Sequence, residues 1–252
     1  LDSRLRGNDK KYKMLVEVCA NSLQSAINAE AAGADRIELC SELGVGGITP
    51  SHGLIRLVKE RLSIPVHVLI RPRGGHFTYS PSEFEVMLAD IAFCKDIGVD
   101  GIVSGVLKAD LRLDTERTQQ LKERARPMHF TFHRAFDWVT NPVETLKVLG
   151  DMGVDTILTS GGKASAFQGL SDIKAWQHNT GMTIMAGGGV NPENAVAFKN
   201  AGLQALHLSG TTFGNEVKVA EKISMNSQKH LKEDHVAVTN QRIVYQMVQI
   251  VK

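Results

Sequence analysis

The side chains with chemistry to offer gather at the ends of short apolar runs. LVEVCA at 15–20 carries Glu17 and Cys19, and DRIELC at 35–40 carries Arg36, Glu38 and Cys40. Two thiolates with no carboxylate or imidazole at a fixed spacing beside them suit Cu(I) better than Zn(II). The competing account is that each is a free cysteine packing as a small buried hydrophobe. Arg71 and Arg73 flank Pro72 just before Gly74 and Gly75. An extended segment there turns both guanidinium groups the same way, suited to bidentate binding of carboxylate or phosphate. A rigid loop salt-bridged to nearby acids explains the pair as well. TFHRAFD at 131–137 sets His133 beside Arg134 and Asp137. Histidine is the usual proton-transfer residue, and Asp137 or Glu17 is placed to orient it.

Glu17, Glu38, His133 and Asp137 are therefore the candidate catalytic groups. Three later segments end in small residues: SGGK at 160–163, AGGGVNPEN at 186–194 and SGTT at 209–212. Ser160, Gly188, Gly189, Ser209 and Gly210, with a helix starting after Asn191, suit a backbone N–H cradle for an anion. Glycine is also common in ordinary strand-to-helix turns. Arg36, Arg71 and Arg73 complete the candidate substrate-binding set. Cys94 and Met87, Met152 and Met185 fit core packing.

These groups need a scaffold that repeats. GADRIELC (33–40), GVDGIVSG (98–105), GVDTILTSG (153–161) and GLQALHLSG (202–210) share one pattern of Gly, small apolar residue and apolar strand. Glycine accepts positive φ past a helix end, so each reads as helix stop, turn, strand. LVEVCA, IPVHVLIRP, MHFTFHRAF and MTIMAGGG supply four more strands, and helical patterns fill the gaps. Asn21 and Ser22 are N-cap candidates for the first helix, and Pro with hydroxyl residues opens the second and third. Strict alternation over eight units predicts a single (β/α)8 TIM-type barrel with a parallel eight-stranded core. An open doubly wound sheet would need a glycine-rich first turn, and CANSLQ has no glycine. The polar stretch 214–238 gives the least pattern.

Alternation of side chains along each strand then sorts lumen from shell. Glu17 and Cys19 face in against Val16 and Val18; Arg36, Glu38 and Cys40 against Ile37 and Leu39. His67, Leu69 and Arg71 share a face, as do His129, Thr131 and His133, and His207 and Ser209. A barrel lumen is ordinarily filled by branched apolar residues. This one is polar on at least five strands, so its charges form a network, a ligand site or both. A purely structural network would neutralise Glu17 and Glu38 with Arg36 and Arg71. The position of Cys19, Cys40, Arg71, His133 and Ser160 late in their strands favours a site.

The totals narrow the classes. At 252 residues with 42% hydrophobic and 22% charged residues, the chain suits one large domain with a sizeable core. No apolar run reaches the ~18–20 residues of a membrane span. Three cysteines make no disulfide framework, which points to a cytoplasmic setting. Residues 1–13 hold five basic residues against two acids, a net +3, so the remainder stands near −1. That leaves no global field for nucleic acid. The segment lacks an apolar signal core and an initiator methionine, whereas Met14 directly precedes the first strand. It reads as a disordered upstream extension, with residues 14–252 forming the barrel domain; a basic nucleic-acid-binding arm is the alternative.

The blocks VEVCA, GADRIELC, GGITPS, IPVHVLIRPRGGHFTYS, TFHRAFD, LTSGGK and MAGGGV, in this order from Met14 to Thr212, resemble the CutC copper homeostasis family. The resemblance implies a barrel, a cytoplasmic location and intracellular copper handling through Cu(I) binding. It matches Cys19 and Cys40 to the cysteines of the family's first two strands. It also carries Glu17, Arg36, Glu38, Arg71, Arg73, His133 and Asp137 into a shared cleft. Residues 1–13 fall outside the pattern and 214–252 match it loosely. The expected ligand is a copper ion or a small anion, without nucleic-acid or membrane partners, in a homo-oligomer. A copper carrier needs the thiols but has little use for paired arginines and a His–Asp pair. The alternative is therefore an enzyme of lyase, isomerase or hydrolase type acting on a small phosphorylated or carboxylated metabolite.

Overall fold

In a computed structural model that describes residues 14–214, 223 and 236–252, eight parallel strands close into a barrel in sequential order. They are β1 (Leu15–Ala20), β2 (Arg36–Leu39), β3 (Val66–Leu69), β4 (Gly101–Ser104), β5 (His129–Phe132), β6 (Thr156–Thr159), β7 (Thr183–Gly187) and β8 (Ala205–Leu208). Each falls inside its expected segment. The intervening helices are α1 (Leu23–Ala31), α2 (His52–Arg61), α3 (Pro81–Ile97), α4 (Thr115–Ala125), α5 (Pro142–Asp151), α6 (Leu170–His178) and α7 (Pro192–Asn200), with α8 (Gln241–Val251) closing the ring. Residues 1–13 and most of 214–238 lie outside the described residues.

Local chemistry sets the helix boundaries. The Ser22 hydroxyl accepts from the Ser25 amide at the start of α1, and Ser80 with Glu83 forms a reciprocal capping box on α3. The four glycines of the repeat, Gly33, Gly98, Gly153 and Gly202, all take positive φ between +72° and +85°. That is the conformation a tight helix-to-strand turn requires, and one a Cβ opposes.

Val16, Val18, Ile37, Leu39, Phe130 and Phe132 join one apolar core between strands and helices. The opposite phase fills the lumen. Two small apolar groups lie there: Leu158, Met185 and Ala205, and Cys19, Cys40, Leu69 and Val103. Most of the remaining lumen positions are polar, and Gly101 and Gly187 leave room for the His67 and Leu158 side chains.

The structure adds an antiparallel hairpin, β9 (Thr211–Gly214) with β10 (Val236–Thr239). It docks on α1: Asn21 and Asn28 amides donate to the carbonyls of Ala237 and Thr239, and the Ser25 hydroxyl accepts from the Thr239 amide. Asn21 is thus a hairpin clamp, while Ser22 is the cap. Two 3-10 turns, Leu43–Val45 and Arg134–Trp138, follow β2 and β5 on the side where the strands end.

Candidate functional site

A cleft of about 580 Å³ opens at the C-terminal ends of the strands, within the usual range for small-molecule sites. Its floor is built by register. Cys19 lies opposite Glu38, Glu38 opposite His67, and Glu17 opposite both Arg36 and His207.

The two thiols meet as the phase argument requires, with Sγ atoms 3.4 Å apart and neither in a disulfide. The bond to Cys40 and burial hold the Cys19 thiol well above its usual range. Cys19 Sγ also lies 3.8 Å from Glu38 Oε1. Ligand atoms of Cys19, Glu38 and His207 all fall within 4.8 Å of one another. This corrects the sequence premise that no carboxylate or imidazole stands beside the thiols: register brings Glu38 from β2 and His207 from β8. His207 was visible as a lumen residue, but nothing in the sequence announces that β8 closes onto β1.

Beneath this floor Arg36 Nε donates to Glu17 at 2.5 Å, and His207 Nδ1 lies 2.7 Å from the other Glu17 oxygen. Burial opposes the Glu17 charge, yet Arg36 and the His207 bond together hold its carboxyl far below the usual range. The same burial opposes a charge on His207, but Glu38 and Glu17 outweigh it and raise its pKa. Arg36 also donates to Met185 Sδ at 3.7 Å. Arg36 and Glu17 are not among the cleft-lining residues. Arg36 begins its strand and so sits too deep to meet a ligand, and Glu17 holds its neighbours in place. Glu38 does line the cleft; burial pushes its carboxyl up to about 7. Its Oε2 has no hydrogen-bond partner.

The paired-arginine expectation fails in part. Residues 72–75 bend instead of extending, and the two guanidiniums part. Arg71 lines the cleft, donating to the carbonyls of Val45, Gly47 and Gly75, with its Cζ 5.2 Å from the Phe77 ring centre. Arg73 turns away, bonding Glu83 at 2.6 Å and the carbonyls of Gly74, His76 and Thr78. Among the described residues no carboxylate pairs with Arg71, and backbone carbonyls take up its NH groups.

His133 also lines the cleft, its ring centre 4.9 Å from that of Phe77 and tilted 54° to it. No acid orients it. Its Nδ1 accepts the Ala135 amide at 3.2 Å, so the neutral ring carries its proton on Nε2, which finds no partner. Burial, then Arg71, push its pKa down to about 3. Asp137 is engaged elsewhere: it accepts from the Thr159 hydroxyl, the Ser160 amide and hydroxyl, the Gly162 amide and Arg134. Ser160 is likewise tied, its hydroxyl bridging Asp137, Arg134 and the Lys163 carbonyl. Both anchor the loop after β6.

Gly188, Gly189 and Ser209 line the cleft, with Arg134 against Gly188. Gly210 does not: it faces Val244 of α8, and its carbonyl accepts the Asn240 amide. Asn191 Oδ1 already accepts the Glu193 and Asn194 amides at the start of α7. The expected cradle is therefore reduced to the loop glycines.

The closed eight-stranded parallel barrel places this chain among the TIM barrels, with its thiol–carboxylate–imidazole group under a cleft at the strand C-termini. Residues 14–212 match the CutC family pattern, and the chain belongs to that family. A solved Streptococcus agalactiae CutC, named for copper homeostasis, is 33% identical with a TM-score of 0.74, covering 78% of this chain and 98% of that one. More distant barrels share the fold alone. Tryptophan synthase subunit alpha from Legionella pneumophila str. Paris is 14% identical (TM-score 0.60; 96% and 93% covered). Phosphoribosylanthranilate isomerase from Thermotoga maritima is 13% identical (TM-score 0.58; 94% and 98% covered).

Proposed function

We propose that this barrel takes up Cu(I) as cargo on Cys19 and Cys40 and serves intracellular copper handling. The observation that carries the reading is the 3.4 Å approach of two free, buried sulfurs from adjacent strand ends. Soft sulfur donors select Cu(I) among the common metals. Bringing Cu(I) onto the pair displaces thiol protons, so uptake is accompanied by proton release. No described helix is long and apolar enough to cross a membrane.

Anaerobic titration with Cu(I), competed against a chromophoric chelator, tests the reading. One ion per chain is expected for the wild type, with stoichiometric binding lost in the double variant Cys19→Ser/Cys40→Ser. Undiminished uptake by the double variant would remove the thiol site.

A second reading is favoured by Arg71, which faces the cleft without a carboxylate partner among the described residues, and by Glu38, poised near neutrality at about 7. Both suit an enzyme acting on a small phosphorylated or carboxylated metabolite, with Glu38 as acid/base and Arg71 drawing the anion. A thermal-shift screen with such anions, repeated in Arg71→Lys, tests it. A flat response to every anion counts against this reading and leaves the copper reading untouched.

A further inference from the structure

The thiol pair is only half of what the barrel floor presents. Cys19 also faces a carboxylate and an imidazole, and those three residues all line the cleft, whereas Cys40 does not. We infer that Cys19, Glu38 and His207 form a binding site for a divalent d-block ion of the zinc class, distinct from the dithiol and sharing only Cys19 with it.

Three observations carry the site. One ligand atom from each residue lies within 4.8 Å of the others, as atoms surrounding a single small cation must. Glu38 Oε2 is buried with no hydrogen-bond partner, 4.0 Å from His207 Nδ1. A buried carboxylate oxygen without a donor is costly, and a cation satisfies it. Third, Glu17 grips His207 Nδ1 at 2.7 Å. A carboxylate holding one ring nitrogen fixes the tautomer and the orientation of the ring, the arrangement that supports metal-bound histidines. Arg36 anchors Glu17 in turn, so the support is built into the register of β1, β2 and β8.

The donor set selects the ion class. One sulfur, one oxygen and one nitrogen suit a borderline ion such as Zn(II), while Cu(I) prefers the two sulfurs and Mg(II) or Ca(II) prefer oxygen. Three protein ligands leave a fourth position, and the cleft supplies the open side. That is the pattern of zinc sites that keep a place for water or substrate. Because Cys19 belongs to both donor sets, Zn(II) and Cu(I) exclude each other at this floor.

The test uses the full chain, reduced and metal-free, titrated with Zn(II) against a chromophoric chelator, then loaded with Co(II) for spectroscopy. One Zn(II) per chain is expected, and Cys40→Ser should retain it within a few-fold while losing Cu(I). Cys19→Ser, Glu38→Gln and His207→Asn should each weaken Zn(II) by more than the roughly 10–100-fold that follows loss of a supporting partner. Near-ultraviolet circular dichroism identifies variants that keep the wild-type fold. Wild-type protein gives a readout independent of any substitution: Co(II) should show a thiolate charge-transfer band. X-ray absorption at the zinc edge should show one sulfur and otherwise nitrogen or oxygen neighbours. Two sulfurs at the zinc, equal loss in Cys40→Ser, retention in Glu38→Gln and His207→Asn, or no stoichiometric binding each overturns the site. Failure here with intact Cu(I) binding leaves the dithiol reading standing.

Discussion

His67 should make the barrel acid-sensitive in a way that one substitution removes. The ring is buried in the lumen, 3% exposed, with Nδ1 unpartnered and the His129 ring centre 4.9 Å away. Burial, reinforced by Arg36, lowers its pKa from 6.5 to about 3. The unfolded chain therefore binds a proton below pH 6.5 that the folded chain refuses until about pH 3. Stability is unaffected by this group above pH 6.5 and falls as pH drops through that window, by about 1.4 kcal/mol per pH unit. Between pH 6.5 and 4.5 the loss is about 2 kcal/mol, a large share of the 5–15 kcal/mol that typical domains possess. Other groups titrate in the same range, so the informative quantity is a difference. His67→Phe keeps a planar ring in the same niche and cannot be protonated. Urea unfolding at both pH values, followed by circular dichroism, should show the variant losing about 2 kcal/mol less than wild type on acidification. Equal losses in the two proteins, or an NMR titration of His67 near 6.5, would refute the argument.

Three further outcomes follow from the packing. Gly105 has no room for a side chain, since an added Cβ would lie 2.6 Å from His133 Nδ1; Gly105→Ala should cost about 1–3 kcal/mol as overpacking, read as a fall in Tm. Gly53 lies in α2 with nothing within 4 Å of an added Cβ, so Gly53→Ala should stabilise by about 0.4–1 kcal/mol in the same melt. Asp137→Asn should cost about 2–3 kcal/mol, because it sets an amide group among donors that now share a carboxylate. The same variant should leave Cu(I) stoichiometry unchanged, and a lost ion with a preserved Tm would return Asp137 to the binding machinery.

The barrel was legible because its signals are local. A glycine past four of the helix ends and apolar period-two runs elsewhere place all eight strands without any knowledge of their partners. The hairpin β9–β10 was not legible, because TTFG and VAVT are separated by a polar stretch and pair only across it. The site was half legible. Phase along a strand puts Cys19, Glu38, Arg71, His133 and His207 on the inner face, but it is silent about depth and partners. Arg36 and Glu17 look as available as Glu38 until register sets them one layer lower and pairs them. Arg73 looks equivalent to Arg71 until the bend at 72–75 turns it to Glu83. Asp137 and Ser160 resemble reacting groups, and it is the 3-10 turn after β5 that makes them one loop anchor. His207 came through only as a lumen residue, since its value depends on β8 closing against β1.

Sulfur and charge looked like separable features of the strand ends, and the geometry joins them through one carboxylate. Glu38 lies 3.8 Å from the Cys19 sulfur and 4.0 Å from His207 Nδ1, while Arg71 and His133 line the same cleft with no acid of their own among the described residues. A cation on the floor would neutralise Glu38 and leave the Arg71 charge for an incoming anion. An empty floor leaves the Glu38 carboxyl lining the same cleft as Arg71. Metal occupancy and anion affinity should therefore rise together, since each ligand relieves a charge that opposes the other. Measuring phosphate-induced thermal shifts with and without Zn(II) checks that coupling. Equal shifts in the two states would mean that the walls act independently, and the copper and enzyme readings would then stand or fall separately.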